Sequence, residues 1–224
     1  MWDAALNSLV ISHDNPDDTG SFQVLSGRRL TLGTFVEWLN QQVSYSGQLW
    51  LDVKNLHWSN AGEVGEALDR IFVTNQRRGM VYVESRNPLP LPALRSRGYR
   101  VIYWVQPMFS RRGIVDAKRQ ICLVGGDCVR AVWVMTKRMI GYALQKSALG
   151  YAGLARVSMP YDQYHWVEEE YRGREVFLWT NKLDHRPLAE QRRIIGELAA
   201  KDRIGVILVD DLRLLEISLL PESQ

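Results

Sequence analysis

Short runs of apolar and β-branched residues alternate along this chain with longer amphipathic segments. Six of these runs are bounded by Gly, Asn, Asp or Pro and predict β-strands, at residues 49–55, 80–85, 100–105, 154–159, 175–180 and 204–210. The segments between them repeat apolar residues every three or four positions and predict helices, at 30–43, 59–72, 162–171 and 184–202. Asn60 is the expected N-cap of the second helix, with Glu63 three residues further on, and Pro187 is expected in the first turn of the last.

Repeated strand–helix units with nearly continuous apolar strands indicate a parallel sheet covered by helices. A doubly wound sheet and a barrel both satisfy this pattern. No G-x-G-x-x-G sequence follows any of the strands, so a dinucleotide-binding crevice has no support. Polar residues gather instead at the C-terminal strand ends, where the active groups of a barrel lie. We therefore predict an α/β fold, a TIM-barrel-like parallel barrel, as one domain over residues 1–224.

One long segment, residues 107–153, separates two predicted strands by more than a single helix needs. We treat it as a helical insertion in the barrel. Within it, residues 125–150 predict a long helix that Asp127 caps and Gly150 ends, with apolar residues nearly all round. An additional helical layer or a lid would fit this segment, but we expect a buried packing helix.

The composition excludes several classes of function. The 224 residues carry a net charge of +3, from 28 basic and 25 acidic residues, and the arginine pairs are scattered, so no basic face for nucleic acid is apparent. Two cysteines do not make a disulfide framework, and the first thirty residues lack the pattern of a signal peptide. The longest apolar stretch is interrupted by Lys137 and Arg138. We expect a cytoplasmic protein without a transmembrane segment.

Two strand ends carry candidate chemistry. The apolar run at 9–12 leads directly into His13. In the strand at 49–55, alternation places Trp50, Asp52 and Lys54 on one side, which we expect to be the barrel lumen. A buried ion pair that only fills space is the simpler interpretation of Asp52 and Lys54. Because desolvation offsets the attraction in such a pair, it stabilises little, and we favour a functional role.

The order of these motifs resembles the glycerophosphodiester phosphodiesterase family. Its landmarks appear here as "VISHDN", "LWLDVKN", "EVFLWTN" and "IGVILVDD", and "MVYVESRNPLPLPALRSRGYRVIYWV" is similar to the family's fourth and fifth strands. The resemblance covers most of the chain. It implies a barrel that hydrolyses a small-molecule phosphodiester in lipid metabolism, with a divalent ion, Ca²⁺ or Mg²⁺, held by carboxylates and two histidines acting as acid and base.

Carried over residue by residue, the resemblance implies a metal ligand at Asp52 and catalytic roles for His13 and Lys54. His13 would donate the leaving-group proton, while Lys54 and the metal would neutralise the phosphate. Trp179 and Asn181 match a pair on the family's seventh strand. We expect Trp104 and Trp179 to line one mouth of the barrel as apolar walls for the organic part of the ligand.

The family's first strand, with His-Arg-Gly, and its second, with Glu-x-Asp, have no counterpart here. We therefore expect this chain to lack the first strand–helix unit and most of the second strand, and Asp3 lies too close to His13 to replace the missing carboxylates. One carboxylate, Asp52, is a poor site for a hard divalent ion, so we expect weak metal binding and hydrolysis near background. A non-catalytic barrel that binds a phosphorylated ligand or a protein partner remains the alternative.

Overall fold

The computed structural model describes residues 1–11, 30–41, 47–111, 113–115, 117, 128–180, 183 and 185–209. The chain divides into two compact units, the first comprising residues 1–104 and 148–154 and the second residues 105–147 and 155–224. The single domain expected over 1–224 stays a prediction.

The first unit contains a short hairpin and three parallel strands. Strands β1 and β2 pair in antiparallel fashion, and β3, β4 and β5 follow one another in a parallel sheet with β4 in the middle. Each residue of β4 is buried, as the apolar pattern predicts for a parallel strand covered on both faces. The strands span Trp2–Asp3, Ser8–Leu9, Leu49–Asp52, Val81–Ser85 and Arg100–Trp104.

The described part of the first unit contains four helices, at Leu32–Gln41 (α1), Ala61–Ile71 (α2), Asn75–Arg78 (α3) and Leu91–Arg95 (α4). Asn60 precedes α2 as predicted, but its side chain does not cap the helix. Its amide donates to the carbonyl of Asn55 at 2.9 Å, and its oxygen accepts from the amide of His57 at 2.8 Å. The prediction that Asn60 caps α2 is therefore wrong, because its side chain stabilises the preceding turn instead.

The second unit contains three more parallel strands, β6 (Arg156–Pro160), β7 (Glu175–Trp179) and β8 (Ile204–Leu208), with β7 between the other two. The centre of β7 is fully buried, with Phe177 at 0% exposure. At Gly205 on β8, an added Cβ would collide with the carboxylate of Glu175, so glycine fits the close approach of these strands.

The six predicted strands are present, each starting within two residues of its predicted position. The segment predicted as a helix over 162–171 forms only a 3₁₀ turn at Tyr161–Gln163 and a short helix, α6, at Tyr164–Val167. The next residue, Glu168, accepts a hydrogen bond at its backbone carbonyl from Arg203 at 3.1 Å. The last helix, α7, spans Leu188–Ala199 and starts just after Pro187, not around it.

The long helix expected in the insertion is present as α5, Cys128–Ala152. It ends beyond Gly150 and is followed by Gly153 in a left-handed conformation (φ +56°), while the expected cap, Asp127, lies outside the described residues. The expectation of a buried helix is wrong. Where the burial of α5 is described, Gln145, Leu149 and Ala152 are buried, while large apolar residues such as Trp133 and Leu144 are exposed. In the described part of the chain no helix is both long and apolar enough to cross a bilayer.

Candidate functional site

The carboxyl ends of β3, β4 and β5 form one edge of the first unit. Asp52, the last residue of β3, is in register with Glu84 on β4, and Trp104 ends β5. Because neighbouring parallel strands end together, side chains at these positions are brought close in space although they are far apart in sequence. This edge is the candidate site.

A cavity of about 560 Å³ runs along β3 in the first unit. Asp52 and Lys54 both line it, as their predicted common orientation requires. Leu49, Leu51 and Val53 line it too, so the cavity follows the edge of β3 and not one face alone. Its other walls are apolar and come mainly from β2, the residues after it and α1: Met1, Leu9, Val10, Ile11, Leu30, Leu32 and Phe35. Such a volume with few polar groups is within the range of ligand sites.

Asp52 lies in a mixed electrostatic environment. Loss of hydration in the cavity raises the pKa of its carboxyl, and the nearby charges of Lys54 and Arg86 oppose that rise. The side chain is still exposed to solvent on one side. The carboxylate of Asp52 thus lies beside a largely apolar cavity, with cationic groups near it.

Glu84 is a buried acid that sequence reasoning did not assign to the site. Its carboxylate accepts a hydrogen bond from the indole of Trp50 at 3.0 Å, and its backbone carbonyl accepts from Val53 at 2.9 Å. Glu84 thus fixes Trp50 and ties β3 to β4 beside Asp52. Its position at the end of the 80–85 strand was the available signal.

Arg86 is the second residue to which sequence reasoning gave no role, although it belongs to the polar residues at the strand ends. Its guanidinium carbon lies 3.4 Å from the centroid of the Trp104 ring, which is a close cation–π contact. Trp104 therefore holds a cation at the carboxyl edge, in addition to offering an apolar surface. The place of Arg86 directly after β4, in "ESR", could have identified it.

The N-terminal hairpin closes one wall of the cavity. The side-chain amide of Asn55 makes two hydrogen bonds to the backbone of Trp2, at 2.8 and 2.7 Å. Asp3 is buried and accepts from the backbone amides of Ala5 and Leu6, at 3.0 and 3.2 Å. These contacts assign Asn55 and Asp3 to holding the hairpin in place.

The remaining predicted site residues are not brought to this edge by the described structure. His13 and Asn181 lie outside the described residues. Trp179 ends β7 in the second unit, half-buried. A common mouth for Trp104 and Trp179 stays a prediction.

The described residues do not fit a hard divalent cation. Within them, no three His, Cys, Asp or Glu side chains come together in a way that could hold a metal ion. At the candidate edge, the charges of Lys54, Arg86 and the N-terminal ammonium act on Asp52, and Glu84 accepts a hydrogen bond from Trp50. Calcium and magnesium require several oxygen ligands, so these residues favour an anion over a metal.

Comparison with protein-family models and with curated proteins gives no match. Among solved structures, the chain is similar to a glycerophosphodiester phosphodiesterase from Parabacteroides distasonis, with a TM-score of 0.52 at 13% identity over 93% of this chain and 76% of that one. It is also similar to a protein from Galdieria sulphuraria assigned as a glycerophosphodiester phosphodiesterase, with a TM-score of 0.50 at 14% identity over 87% of this chain. The chain spans 66% of the length of the Galdieria protein.

At these identities the likeness concerns the fold. It confirms the predicted α/β, TIM-barrel-like class. The expectation that a first strand–helix unit and most of a second strand are missing stays a prediction.

Proposed function

We propose that the carboxyl edge of β3, β4 and β5 binds the phosphate of a phosphodiester, and that the protein is a hydrolase of glycerophosphodiester-type substrates. The observation that carries this proposal is that Asp52 and Lys54 line the cavity beside Arg86, which lies over Trp104, at the edge where barrel enzymes keep their active groups. The similarity in fold to two phosphodiesterase structures supports it.

The two cations match the chemistry of the substrate. A phosphodiester carries negative charge, and this charge shifts onto the leaving oxygen as the phosphorus–oxygen bond breaks. Arg86 is held in place by Trp104, so little reorganisation is needed for it to meet that charge. The apolar cavity wall and Trp104 would accept the organic part of the diester.

The protonation state of Asp52 should change when a ligand binds at this site. In the free protein its carboxylate offsets part of the charge of Lys54 and Arg86. A bound phosphate would compete for the same cations and disfavour the ionised carboxylate. Because desolvation already raises the pKa of Asp52, phosphate binding should be accompanied by proton uptake at this carboxyl.

The other assignments rest on the family resemblance. We propose His13 as the group that donates a proton to the departing alcohol, with Trp179 and Asn181 contributing to substrate binding. We also propose that Ca²⁺ or Mg²⁺ binds this chain weakly, since the described part of the site offers a carboxylate beside two cations.

Phosphorus-31 NMR on the purified chain tests the proposal by following conversion of a glycerophosphodiester to a phosphomonoester, with and without added divalent ion. We expect slow release of monoester that Lys54→Met abolishes and that Arg100→Gln, at the opposite strand end, leaves unchanged. Hydrolysis that Lys54→Met does not affect would overturn the site assignment. No hydrolysis under any condition, with monoester binding retained, would overturn the enzymatic role and indicate a phosphate-binding barrel.

A further inference from the structure

Helix α5 exposes an apolar face that the candidate site does not explain. At 100° per residue, the buried positions Gln145 and Leu149 fall on one side of the helix. The opposite side carries large apolar residues that are each more than half exposed, and the name α5 apolar face is given to five of them: Val132, Trp133, Met139, Ile140 and Leu144. Tyr151 extends the same side toward the end of the helix. The face is about 18 Å long, from the rise of 1.5 Å per residue.

Positive charge borders this face on both sides. Lys137 and Lys146 are exposed and lie at its two edges, half a turn apart around the helix. Between residues 128 and 152 the chain has four basic residues and no Asp or Glu. The small residues Thr136, Ala143 and Ser147 complete the exposed arc between the two lysines.

We propose that the α5 apolar face lies in the interfacial layer of a membrane that contains anionic lipids, with the helix axis parallel to the surface. The apolar side chains would enter the boundary between headgroups and acyl chains, and Lys137 and Lys146 would extend to the lipid phosphates. The indole of Trp133 suits this depth, since it has an apolar body and a polar N–H.

The charge pattern favours an anionic membrane over a second copy of this chain or another protein at the α5 apolar face. In a symmetric pair of copies joined through this face, lysines would border lysines with no acidic residue of α5 to neutralise them. The face also offers few groups for directional hydrogen bonds, which suits a fluid lipid surface better than a specific protein partner. This proposal is independent of the phosphodiester site.

Flotation of the whole chain with vesicles tests the proposal. Vesicles of phosphatidylcholine with about one third phosphatidylglycerol should bind the chain, and pure phosphatidylcholine vesicles should bind it much less. Lys137→Glu combined with Lys146→Glu should weaken binding by at least about thirty-fold, and raised salt should act in the same direction. Trp133→Ser should weaken binding by roughly tenfold.

Two matched controls separate this face from general surface effects. Trp58 is as exposed as Trp133, at 68% against 67%, so Trp58→Ser removes an equally exposed indole elsewhere and should not weaken binding. Arg172→Glu with Arg193→Glu changes the net charge by the same amount as the double lysine variant, at two exposed arginines outside α5, and should have a much smaller effect.

The location of binding is checked by hydrogen exchange. Amides of α5 from Trp133 to Leu144 should gain protection when anionic vesicles are added. The proposal is overturned if the chain does not bind vesicles. It is also overturned if neither the double lysine variant nor Trp133→Ser weakens the binding. Self-association that Trp133→Ser abolishes, without vesicle binding, would overturn it in favour of a contact between copies, and lysine-dependent binding to polyglutamate alone would overturn it in favour of an acidic protein.

Discussion

The two sets of parallel strands differ in where they place their polar side chains. The strands of the first unit end, at the carboxyl edge, in Asp52 and Glu84, with Arg86 just beyond. The strands of the second unit end in Pro160, Trp179 and Leu208. Just beyond β7, the hydroxyl of Thr180 donates to the carbonyl of Leu208 at 2.8 Å, so this polar group serves the sheet itself.

In the second unit, charged side chains lie at the amino ends of the strands. Arg156 on β6 and Glu175 on β7 form an ion pair at 2.7 Å, at the start of both strands. In the first unit, the amino end of β5 places Arg100 over the ring of Tyr82 at 5.2 Å. Charges at these amino ends thus have partners within the sheet, whereas Asp52 and Lys54 at the carboxyl edge of the first unit border a cavity. Among the described residues, the charges beside the cavity therefore lie at the carboxyl edge of the first unit, while the charges at the amino ends contribute to the sheets themselves.

Truncating a core residue of the second unit should have the largest effect, and it should change only the free energy of unfolding. Phe177→Ala deletes a fully buried ring from β7 and should cost about 3–5 kcal/mol, measured by denaturant unfolding. Phe177→Leu, which leaves a smaller gap, should cost less. The folded protein should keep its affinity for a phosphomonoester. A weaker affinity in the folded Phe177→Leu variant would break the functional distinction between the units.

Trp104→Ala should weaken ligand binding in the first unit. The substitution removes the ring that holds Arg86, and cation–π contacts of this kind are worth about 1–2 kcal/mol, so phosphomonoester affinity should fall by roughly tenfold. Titration calorimetry measures it. Trp58→Ala, which removes an exposed indole from the same unit, should leave the affinity unchanged. Equal effects of the two substitutions would show that Trp104 has no special role.

Arg156→Gln should have a small effect on stability, and it tests the structural role of the charged residues at the amino ends of the strands. It removes a partly exposed ion pair with Glu175, which should cost less than about 1 kcal/mol and lose importance as salt is added. Thermal unfolding at two salt concentrations measures it. Ligand affinity should not change, and a tenfold loss would show that this ion pair serves the site as well as the sheet.

Asp52→Asn should have the smallest effect on stability, and in the stabilising direction. Burial raises the folded pKa above 3.8, so the folded state holds the proton to higher pH than the unfolded state does. Stability should therefore decline as the pH rises from about the unfolded value through the raised folded value. Asparagine does not ionise and avoids this loss. The melting temperature of Asp52→Asn should therefore exceed that of the wild type by an amount that grows from acid to neutral pH. A difference that shrinks instead would mean that attraction to Lys54 and Arg86 outweighs desolvation.

The strands could be predicted from sequence because each is a compact apolar run with turn residues at its ends. Asp52 and Lys54 were accessible to the same reasoning, since alternation along β3 gives both one orientation. Arg86 and Glu84 were not assigned, because their roles depend on Trp104 and Trp50, which reach them only through the pairing of neighbouring strands. The exposure of α5 was missed because apolar residues around a whole helix ordinarily indicate burial.

The most direct test of the phosphate site compares two arginines that both lie over aromatic rings, at opposite ends of the sheet of the first unit. Titration calorimetry with glycerol 3-phosphate should show binding to the wild type that Arg86→Gln weakens tenfold or more, since a charged hydrogen bond to phosphate is lost. Arg100→Gln, at the amino end of β5 over Tyr82, should bind like the wild type. No binding by the wild type, or equal losses in the two variants, would contradict a phosphate site at the carboxyl edge of β3, β4 and β5.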